Sequence, residues 1–195
     1  MDKKALIIFV RNPELGKVKT RLAATVGDEK ALEIYKSLLT HTRAITAKVK
    51  ADKFVFYFDT VKEDDSWSAA GFVKKLQADG DLGHKMKTAF GSLFQEGYAK
   101  VLIIGSDCFE LNNSIIEAAF RALDAHQVVI GPATDGGYYL LGMKQFFPFI
   151  FEDRQWSTEH VFTETKQELD NHAISYALLQ TLTDVDTEED WLKTR

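Results

Sequence analysis

Four consecutive large apolar residues, 101–104, constrain the fold of this chain more than any other feature of its sequence. The run is too short for a helix of its own and suits a strand buried on both faces, which belongs in the centre of a sheet. Gly105, Ser106 and Asp107 follow it directly. Because open α/β sheets bind ligands at the carboxyl ends of their strands, Asp107 is predicted to face a ligand. The alternative is that Asp107 caps the next helix.

Similar extended segments alternate with segments of helical period along the rest of the chain. Strands are predicted at residues 5–10, 53–58, 72–77, 127–130, 138–143 and 174–179. Helices are predicted at residues 28–49, with Asp28 as the N-cap, at 86–97, at 114–123, with Ser114 as the cap, and at 159–171. This alternation is typical of an α/β protein, and the length of 195 residues suits one domain covering residues 1–195.

Composition restricts the class of protein further. The net charge of -5 argues against a nucleic-acid-binding surface spread over the molecule, so no nucleic-acid partner is expected. The single cysteine, Cys108, excludes an intrachain disulfide. The first apolar run is only six residues long, too short for a signal peptide or a membrane span, and we therefore expect a cytoplasmic protein.

A basic loop follows the first predicted strand, at residues 11–21. It carries four positive charges against one acid, and Pro13 and Gly16 interrupt regular structure. A loop of this kind at the carboxyl end of a strand offers both charge and backbone N–H groups to a phosphate. The alternative is a solvated basic loop. The spacing matches neither the dinucleotide-binding GxGxxG pattern nor the P-loop pattern.

Two glycine-containing turns lie between later segments. Residues 77–83 combine Gln77 with glycines that permit close approach of the backbone to a ligand, up to Gly83. In residues 131–137 two adjacent glycines follow Asp135, which indicates a turn that faces a ligand. A simple hairpin-like turn with Asp135 at its tip is equally compatible with that pattern.

Near the C-terminus, Asp184 and Asp186 precede a short helix that Thr187 and Asp190 are predicted to start with a capping box. Acids at the start of a helix interact favourably with the positive end of its dipole. Stabilising this helix is therefore the alternative to a ligand-binding role for Asp184 and Asp186. The phenylalanine-rich residues 146–151 are predicted either to cover the core or to form a homodimer contact.

Taken together and in this order, these segments resemble the small bacterial transferases associated with radical-SAM and selenium-related genes (selenodomain-associated transferases). That family belongs to the nucleotide-diphospho-sugar transferase superfamily, which has the GT-A fold. The resemblance implies a three-layer α/β/α sandwich with a mostly parallel central sheet. The matching segments are residues 9–22, 81–83, 105–108, 131–138, 156–158 and 184–187.

The resemblance also implies a metal and phosphate site. Asp107 and Asp186, with Asp184 as a near alternative to Asp186, would hold a divalent ion, Mg²⁺ or Mn²⁺, on the nucleotide phosphates. Lys19 and Arg21 would neutralise the phosphates and the charge that develops on the leaving group, and both count with Asp107 as catalytic. Because Mg²⁺ takes few protein carboxylates and completes its shell with phosphate and water, two acids would suffice.

The same resemblance assigns the remaining candidates. Arg11 and Gly16 would join the phosphate loop, and Gln77 and Gly83 would contact the base or ribose. Asp135 would face the acceptor or the sugar and act as the base if the acceptor is a hydroxyl.

The leading functional prediction is a metal-dependent glycosyltransferase that uses a nucleotide sugar and a small-molecule acceptor. One alternative is a guanylyltransferase-like nucleotidyltransferase, in which the acceptor attacks the α-phosphorus of an NTP and pyrophosphate leaves. A third is a non-catalytic nucleotide- or partner-binding module. It is suggested by residues 146–151 and by Phe109, which stands where the family has proline and would defeat the site if it turned Asp107 away from Lys19 and Arg21. Lys85 stands where the family has arginine.

Overall fold

The structure, a computed structural model, describes residues 2–68 and 71–194. Met1, Ala69, Ala70 and Arg195 belong to the predicted single domain of residues 1–195 but lie outside the described residues. That domain assignment stays a prediction.

Seven strands form one mixed sheet in the order β3-β2-β1-β4-β6-β5-β7. The pairs β3–β2, β2–β1, β1–β4 and β5–β7 are parallel, whereas β6 is antiparallel to both of its neighbours. A mostly parallel central sheet is therefore confirmed. The strands are β1 Lys4–Val10, β2 Asp52–Tyr57, β3 Phe72–Leu76, β4 Lys100–Ile104, β5 Val128–Pro132, β6 Tyr138–Met143 and β7 Tyr176–Leu178.

Helices cover both faces of this sheet, which gives the predicted three layers. One face packs against α1, α2, α4 and α6, and the other against α3, a 3-10 helix at Pro148–Phe151 and α5. Leu38 and Phe120 are buried on the first face, and Phe90 and Leu169 on the second. The helices are α1 Thr20–Val26, α2 Asp28–Ala47, α3 Leu82–Gln95, α4 Asn113–Ala125, α5 Val161–Asn171 and α6 Glu188–Lys193.

Strand β4 lies in the middle of the sheet, and every residue in it is buried. Its side chains alternate between the layers, with Leu102 and Ile104 in one core cluster and Val101 and Ile103 in the other. Burial on both faces explains why this strand is a continuous apolar run without polar alternation. The prediction of a buried central strand is confirmed.

Three local predictions are wrong. The basic loop does not extend to Arg21, because α1 begins at Thr20. Asp28 does not cap α2, since Gly27 is the N-cap and Asp28 is the first helical residue. Ser114 does not cap α4 either: the cap is Asn112, two residues earlier, whose side chain accepts the backbone N–H of Ile115.

Residues 146–151 cover the core, as one of the two predictions for this segment proposed. Phe147, Ile150 and Phe151 are buried in the cluster beneath α3 and α5. Most of the apolar surface that suggested a homodimer contact is thus used inside the chain. Among the described helices, none combines the length and apolar character that crossing a membrane requires.

Candidate active site at the carboxyl ends of the strands

A cleft of about 780 Å³ opens at the carboxyl ends of β1 and β4, between the two helical layers. This is the edge at which open α/β sheets bind their ligands. Most of the predicted site residues share this one cavity, although they come from five separate parts of the chain. Those that line it are Arg11, Lys19, Arg21, Gln77, Asp107, Asp135, Asp184 and Asp186.

Lys19 joins two of the acids. It precedes α1 in a left-handed conformation, with φ 50° and ψ 46°, and its side chain is only 6% exposed. Its ammonium lies 3.1 Å from Asp107 Oδ1 and 2.9 Å from Asp186 Oδ1. Burial opposes the charge on Lys19, but the attraction of the two carboxylates outweighs it and raises the pKa of Lys19. Lys19 is therefore a permanent cation between two acids.

Main-chain hydrogen bonds hold these acids in place. The N–H of Val185 donates to the carbonyl oxygen of Asp107 at 2.9 Å, so the C-terminal segment runs alongside the end of β4. The capping box of Thr187 and Asp190 then starts α6, as the sequence predicted. Asp190 also accepts the backbone N–H of Asp186 at 3.2 Å. Asp107 and Asp186 are still about 40% exposed and face the cleft.

Two further acids add negative charge to this end of the cleft. Burial and then the charge of Asp107 raise the pKa of Asp184 to about 7. Asp135, at the exposed turn before β6, accepts the N–H of Gly137 at 2.9 Å and also acts on Asp184. Across the described residues, no three His, Cys, Asp or Glu side chains are grouped closely enough to hold a metal by themselves. The charge excess instead suits an ion that takes two carboxylates and completes its shell with ligand oxygens.

Arg21 and Gly16 lie further out. The Arg21 side chain is 81% exposed, and its guanidinium is 4.0 Å from Asp186 Oδ2. It lines the cleft and is free to turn toward a ligand. Gly16 has φ +73° in the exposed part of the loop, where it faces Asp28, and is not among the residues that line the cleft.

Gln77 and Tyr35 form hydrogen bonds with the backbone at the ends of β1 and β2. The Gln77 amide nitrogen lies 3.0 Å from the carbonyl oxygen of Phe56, so part of its hydrogen-bonding capacity serves the fold. Tyr35 Oη accepts the N–H of Arg11 at 2.8 Å and lies 3.1 Å from the Arg11 carbonyl oxygen. Its hydroxyl also lies 3.4 Å from Ser106 Oγ, which connects the β1 loop to the end of β4. Tyr35 was not predicted as a site residue. The one indication in the sequence is that its hydroxyl is a polar group within the otherwise apolar face of α2.

Gly83 does not line the cleft; its missing side chain leaves space for the indole of Trp156. A Cβ atom at this position would lie 2.0 Å from Nε1 of Trp156, so the indole packs directly on the glycine. Gly136 packs just as closely against the backbone of Glu159, because a Cβ at position 136 would lie 2.0 Å from the Glu159 carbonyl oxygen. These contacts hold Trp156 and Glu159 in the wall of the cleft.

The other end of the cleft carries cations. Arg11, after β1, and Lys85, in the first turn of α3, both lie over the ring of Phe58, at 4.2 Å and 3.8 Å from its centroid. All three residues line the cavity. Burial and then the charge of Arg11 lower the pKa of Lys85.

Phe109 does not turn Asp107 away. Its ring stacks on His41 at 4.5 Å and meets the edge of Trp191 at 5.8 Å, so it packs between α2 and α6. Asp107, two residues earlier, still reaches Lys19. Phe109, which stands where the family has proline, therefore packs against the C-terminal helix α6 next to the site.

The fold is the one found in solved nucleotide-diphospho-sugar transferase and cytidylyltransferase structures. The chain belongs to the family described as "Uncharacterized protein conserved in bacteria (DUF2064)", which matches residues 41–158. A solved structure from Desulfovibrio desulfuricans G20, described as a "putative nucleotide-diphospho-sugar transferase", is 31% identical with a TM-score of 0.89. The match covers 96% of this chain and 84% of that one.

Two more distant structures share the fold. The Rv0371c protein of Mycobacterium tuberculosis H37Rv, solved in complex with manganese, is 10% identical with a TM-score of 0.59, over 99% of this chain and 97% of that one. A CMP:2-keto-3-deoxy-manno-octonic acid synthetase complexed with CTP is 12% identical with a TM-score of 0.59, over 98% and 96%. A comparison with curated proteins finds no significant match.

Proposed function

We propose that this protein is a metal-dependent transferase that uses a nucleotide-activated donor, with a nucleotide sugar as the first candidate for that donor. The observation that carries the proposal is the pair Asp107 and Asp186, brought together by Lys19 at the carboxyl ends of the strands. Its structural relative from D. desulfuricans supports the choice of a nucleotide sugar. The association with radical-SAM and selenium-related genes and a cytoplasmic location stay predictions.

Asp107 and Asp186 would hold the divalent ion, Mg²⁺ or Mn²⁺. Their carboxylate oxygens are the donors that both ions prefer, and both side chains are open to the cleft. Asp107 and Asp186 contact one buried lysine, and Asp135 and Asp184 lie near them, so the acids at this end outnumber the cation. When bound, the ion would neutralise phosphate charge and polarise the bond that breaks.

The protein's own cations would hold the donor phosphates. Lys19 is fixed between the two acids, so its ammonium is already in place for a phosphate oxygen that a metal ion on those acids would bring close. Arg21, at the rim, would add a bidentate contact by turning its exposed guanidinium inward. Together they would stabilise the negative charge that accumulates on the leaving group.

Asp135 is the proposed base for an acceptor hydroxyl. It is exposed at the end of the turn, and the N–H of Gly137 fixes one of its oxygens, which leaves the other for the acceptor. The wall formed by Trp156 and Gly83 would limit the size of the small-molecule acceptor that reaches it.

Nucleotidyl transfer is the second candidate. It is favoured by the cations Arg11 and Lys85 at the far end of the cleft, because they offer a place for a pyrophosphate leaving group. The two features that suggested a non-catalytic module both have roles inside the fold: Phe109 packs against α2 and α6, and residues 146–151 cover the core.

Product analysis tests the proposal and separates the two reactions. The purified protein would be incubated with Mg²⁺ or Mn²⁺ and panels of nucleotide sugars and nucleoside triphosphates. Release of a nucleoside diphosphate supports glycosyl transfer, and release of pyrophosphate supports nucleotidyl transfer. A protein that neither turns over nor binds any of these nucleotides in the presence of metal would contradict the proposed function.

A further inference from the structure

Two cations share one aromatic ring on the β1–β2 side of the cleft. The Arg11 guanidinium is 4.2 Å from the centroid of Phe58, and the Lys85 ammonium is 3.8 Å from it. Arg11 follows β1, Phe58 follows β2, and Lys85 lies in α3 after β3. The three residues therefore lie over the β1–β2 side of the sheet, whereas Asp107 follows β4.

Neither of these cations has an ion-pair partner within the part of the chain that the structure describes. Every carboxylate there is more than 4.0 Å from them, and Asp59, Asp79 and Asp81 act on Lys85 only from a distance. Burial and, after it, the like charge of Arg11 lower the pKa of Lys85. An anion placed between the two like charges would be attracted by both of them.

The Arg11 main chain is held firmly despite this repulsion. Tyr35 Oη takes the N–H of Arg11 at 2.8 Å and lies 3.1 Å from its carbonyl oxygen, and Tyr35 itself is buried. The base of the Arg11 side chain is thus fixed at the cleft wall. Phe58 provides a flat apolar surface that keeps both cations facing the cavity.

We propose that Arg11 and Lys85, supported by Phe58, form a second anion-binding subsite that takes a phosphate or carboxylate group of a substrate. It is separate from the position between Lys19 and Arg21. Phe58, the ring that both cations share, follows β2, which lies two strand spacings, about 10 Å, from the strand that Asp107 follows. The inference rests on the proposed function for the identity of the other ligand in the cleft.

The bound group has two possible sources. One source is the terminal phosphate of the nucleotide donor, if another phosphate of the same donor binds next to Asp107 and Asp186. The other source is an anionic group of the acceptor. The planar guanidinium of Arg11 suits two oxygens of one anion, and the Lys85 ammonium adds a point charge.

Calorimetry separates these sources. Each nucleoside monophosphate and triphosphate (of A, G, C and U) would be titrated with Mg²⁺ into wild type, Lys85→Ala, Arg11→Ala and Lys85→Arg. Inorganic phosphate would then be titrated into the same proteins saturated with the monophosphate that binds best. Lys87→Ala is the matched control, because Lys87 lies on the same helix, pairs with Glu152 and does not line the cleft.

If the donor is the source, Lys85→Ala weakens triphosphate binding about tenfold and monophosphate binding less than about twofold. If the acceptor is the source, nucleotide affinities stay the same and inorganic phosphate binding weakens about tenfold. Lys85→Arg retains most of the affinity in either case. The subsite is refuted if Lys85→Ala and Arg11→Ala change every affinity no more than Lys87→Ala does.

Failure of the proposed function gives a different result. In that case wild type binds none of the nucleotides, with or without metal. Inorganic pyrophosphate alone then decides the subsite: binding that depends on Lys85 and Arg11 supports it, and binding that ignores both overturns it. Circular dichroism of each variant verifies that the fold is retained.

Discussion

The two ends of the cleft are opposite in charge and opposite in construction. At the acid end, Lys19 is buried between Asp107 and Asp186, and the hydrogen bond from Val185 holds the C-terminal segment in place. At the cation end, Arg11 and Lys85 meet over Phe58 without an ion-pair partner in the described part of the chain. The acid end contains ion pairs but more acids than cations, whereas the cation end contains no ion pair among the described residues.

This difference indicates what each end does before a ligand arrives. Ion pairs preorganise the acid end, so it has little reorganisation to undergo when a metal and phosphate bind. The cation end retains uncompensated charge, which an anionic substrate would relieve. Loss of a proposed metal ligand at the acid end should therefore lower the rate of catalysis. Variants at the wall or rim should instead reduce stability or substrate affinity.

The largest effect is expected from Asp107→Asn. Loss of a proposed metal ligand at the reacting phosphate should lower kcat/KM about 1,000-fold or more, measured with whichever donor is turned over. Asp59→Asn is the control, because Asp59 is also an acid just after a strand but does not line the cleft. It should change kcat/KM less than about threefold. Equal losses in both variants would show that the acid end has no special role.

Gly83→Ala tests the packing of Trp156, which lines the cleft between these ends, on α3. The new Cβ would lie 2.0 Å from Trp156 Nε1, so the indole must move, and we expect the free energy of unfolding to fall by about 2–3 kcal/mol. Denaturant unfolding measures this loss. Gly105→Ala is the control, since no atom lies within 4 Å of a Cβ there, and it should cost less than about 1 kcal/mol. Similar losses in both variants would contradict the packing described for Trp156.

Asp184→Asn sharpens the account of the acid end through pH. The pKa of Asp184 is about 7 in the folded protein against an ordinary value of 3.8, so folding binds a proton between these pH values. Stability from this group is complete below about pH 4 and is lost as pH rises through 7. In metal-free buffer, Asp184→Asn should therefore be more stable than wild type at pH 8, by about 2 kcal/mol after allowance for partial exposure.

Denaturant unfolding at pH 5 and pH 8 measures this change. The difference between the two proteins should be larger at pH 8 than at pH 5. If it is the same at both, Asp184 is not held protonated by its neighbours.

The smallest effect is expected from Arg21→Ala. The side chain is 81% exposed and 4.0 Å from Asp186, so stability should change by less than about 0.5 kcal/mol. KM for the donor should rise about fivefold to tenfold from loss of one phosphate contact. Lys17→Ala, an exposed loop cation paired with Glu14, should leave KM unchanged. A large loss of stability in Arg21→Ala would mean that Arg21 is part of the fold.

Features that depend on nearby residues could be predicted from the sequence. The central strand follows from four consecutive apolar residues, and the start of α6 follows from Thr187 and Asp190 three residues apart. The cap of α4 was placed wrongly because Ser114 and Asn112 are both good capping residues, and the structure uses Asn112.

Features that depend on distant residues could not be predicted in the same way. Lys19 and Asp186 are 167 positions apart, and only the sheet topology shows that one ammonium bridges Asp186 and Asp107. Gly83 looks like a ligand-facing glycine in sequence, but the indole of Trp156 occupies its open side. The ring shared by Arg11 and Lys85 is likewise visible only once β1, β2 and α3 are assembled.

A crystal of the wild-type protein soaked with Mn²⁺ and the best-binding nucleotide tests the central claim most directly. The account predicts one anomalous manganese peak coordinated by Asp107 and Asp186, with the nucleotide phosphates beside Lys19 in the cleft. Manganese and nucleotide bound instead at the amino-terminal edge of the sheet, or phosphates bound away from both acids, would contradict it.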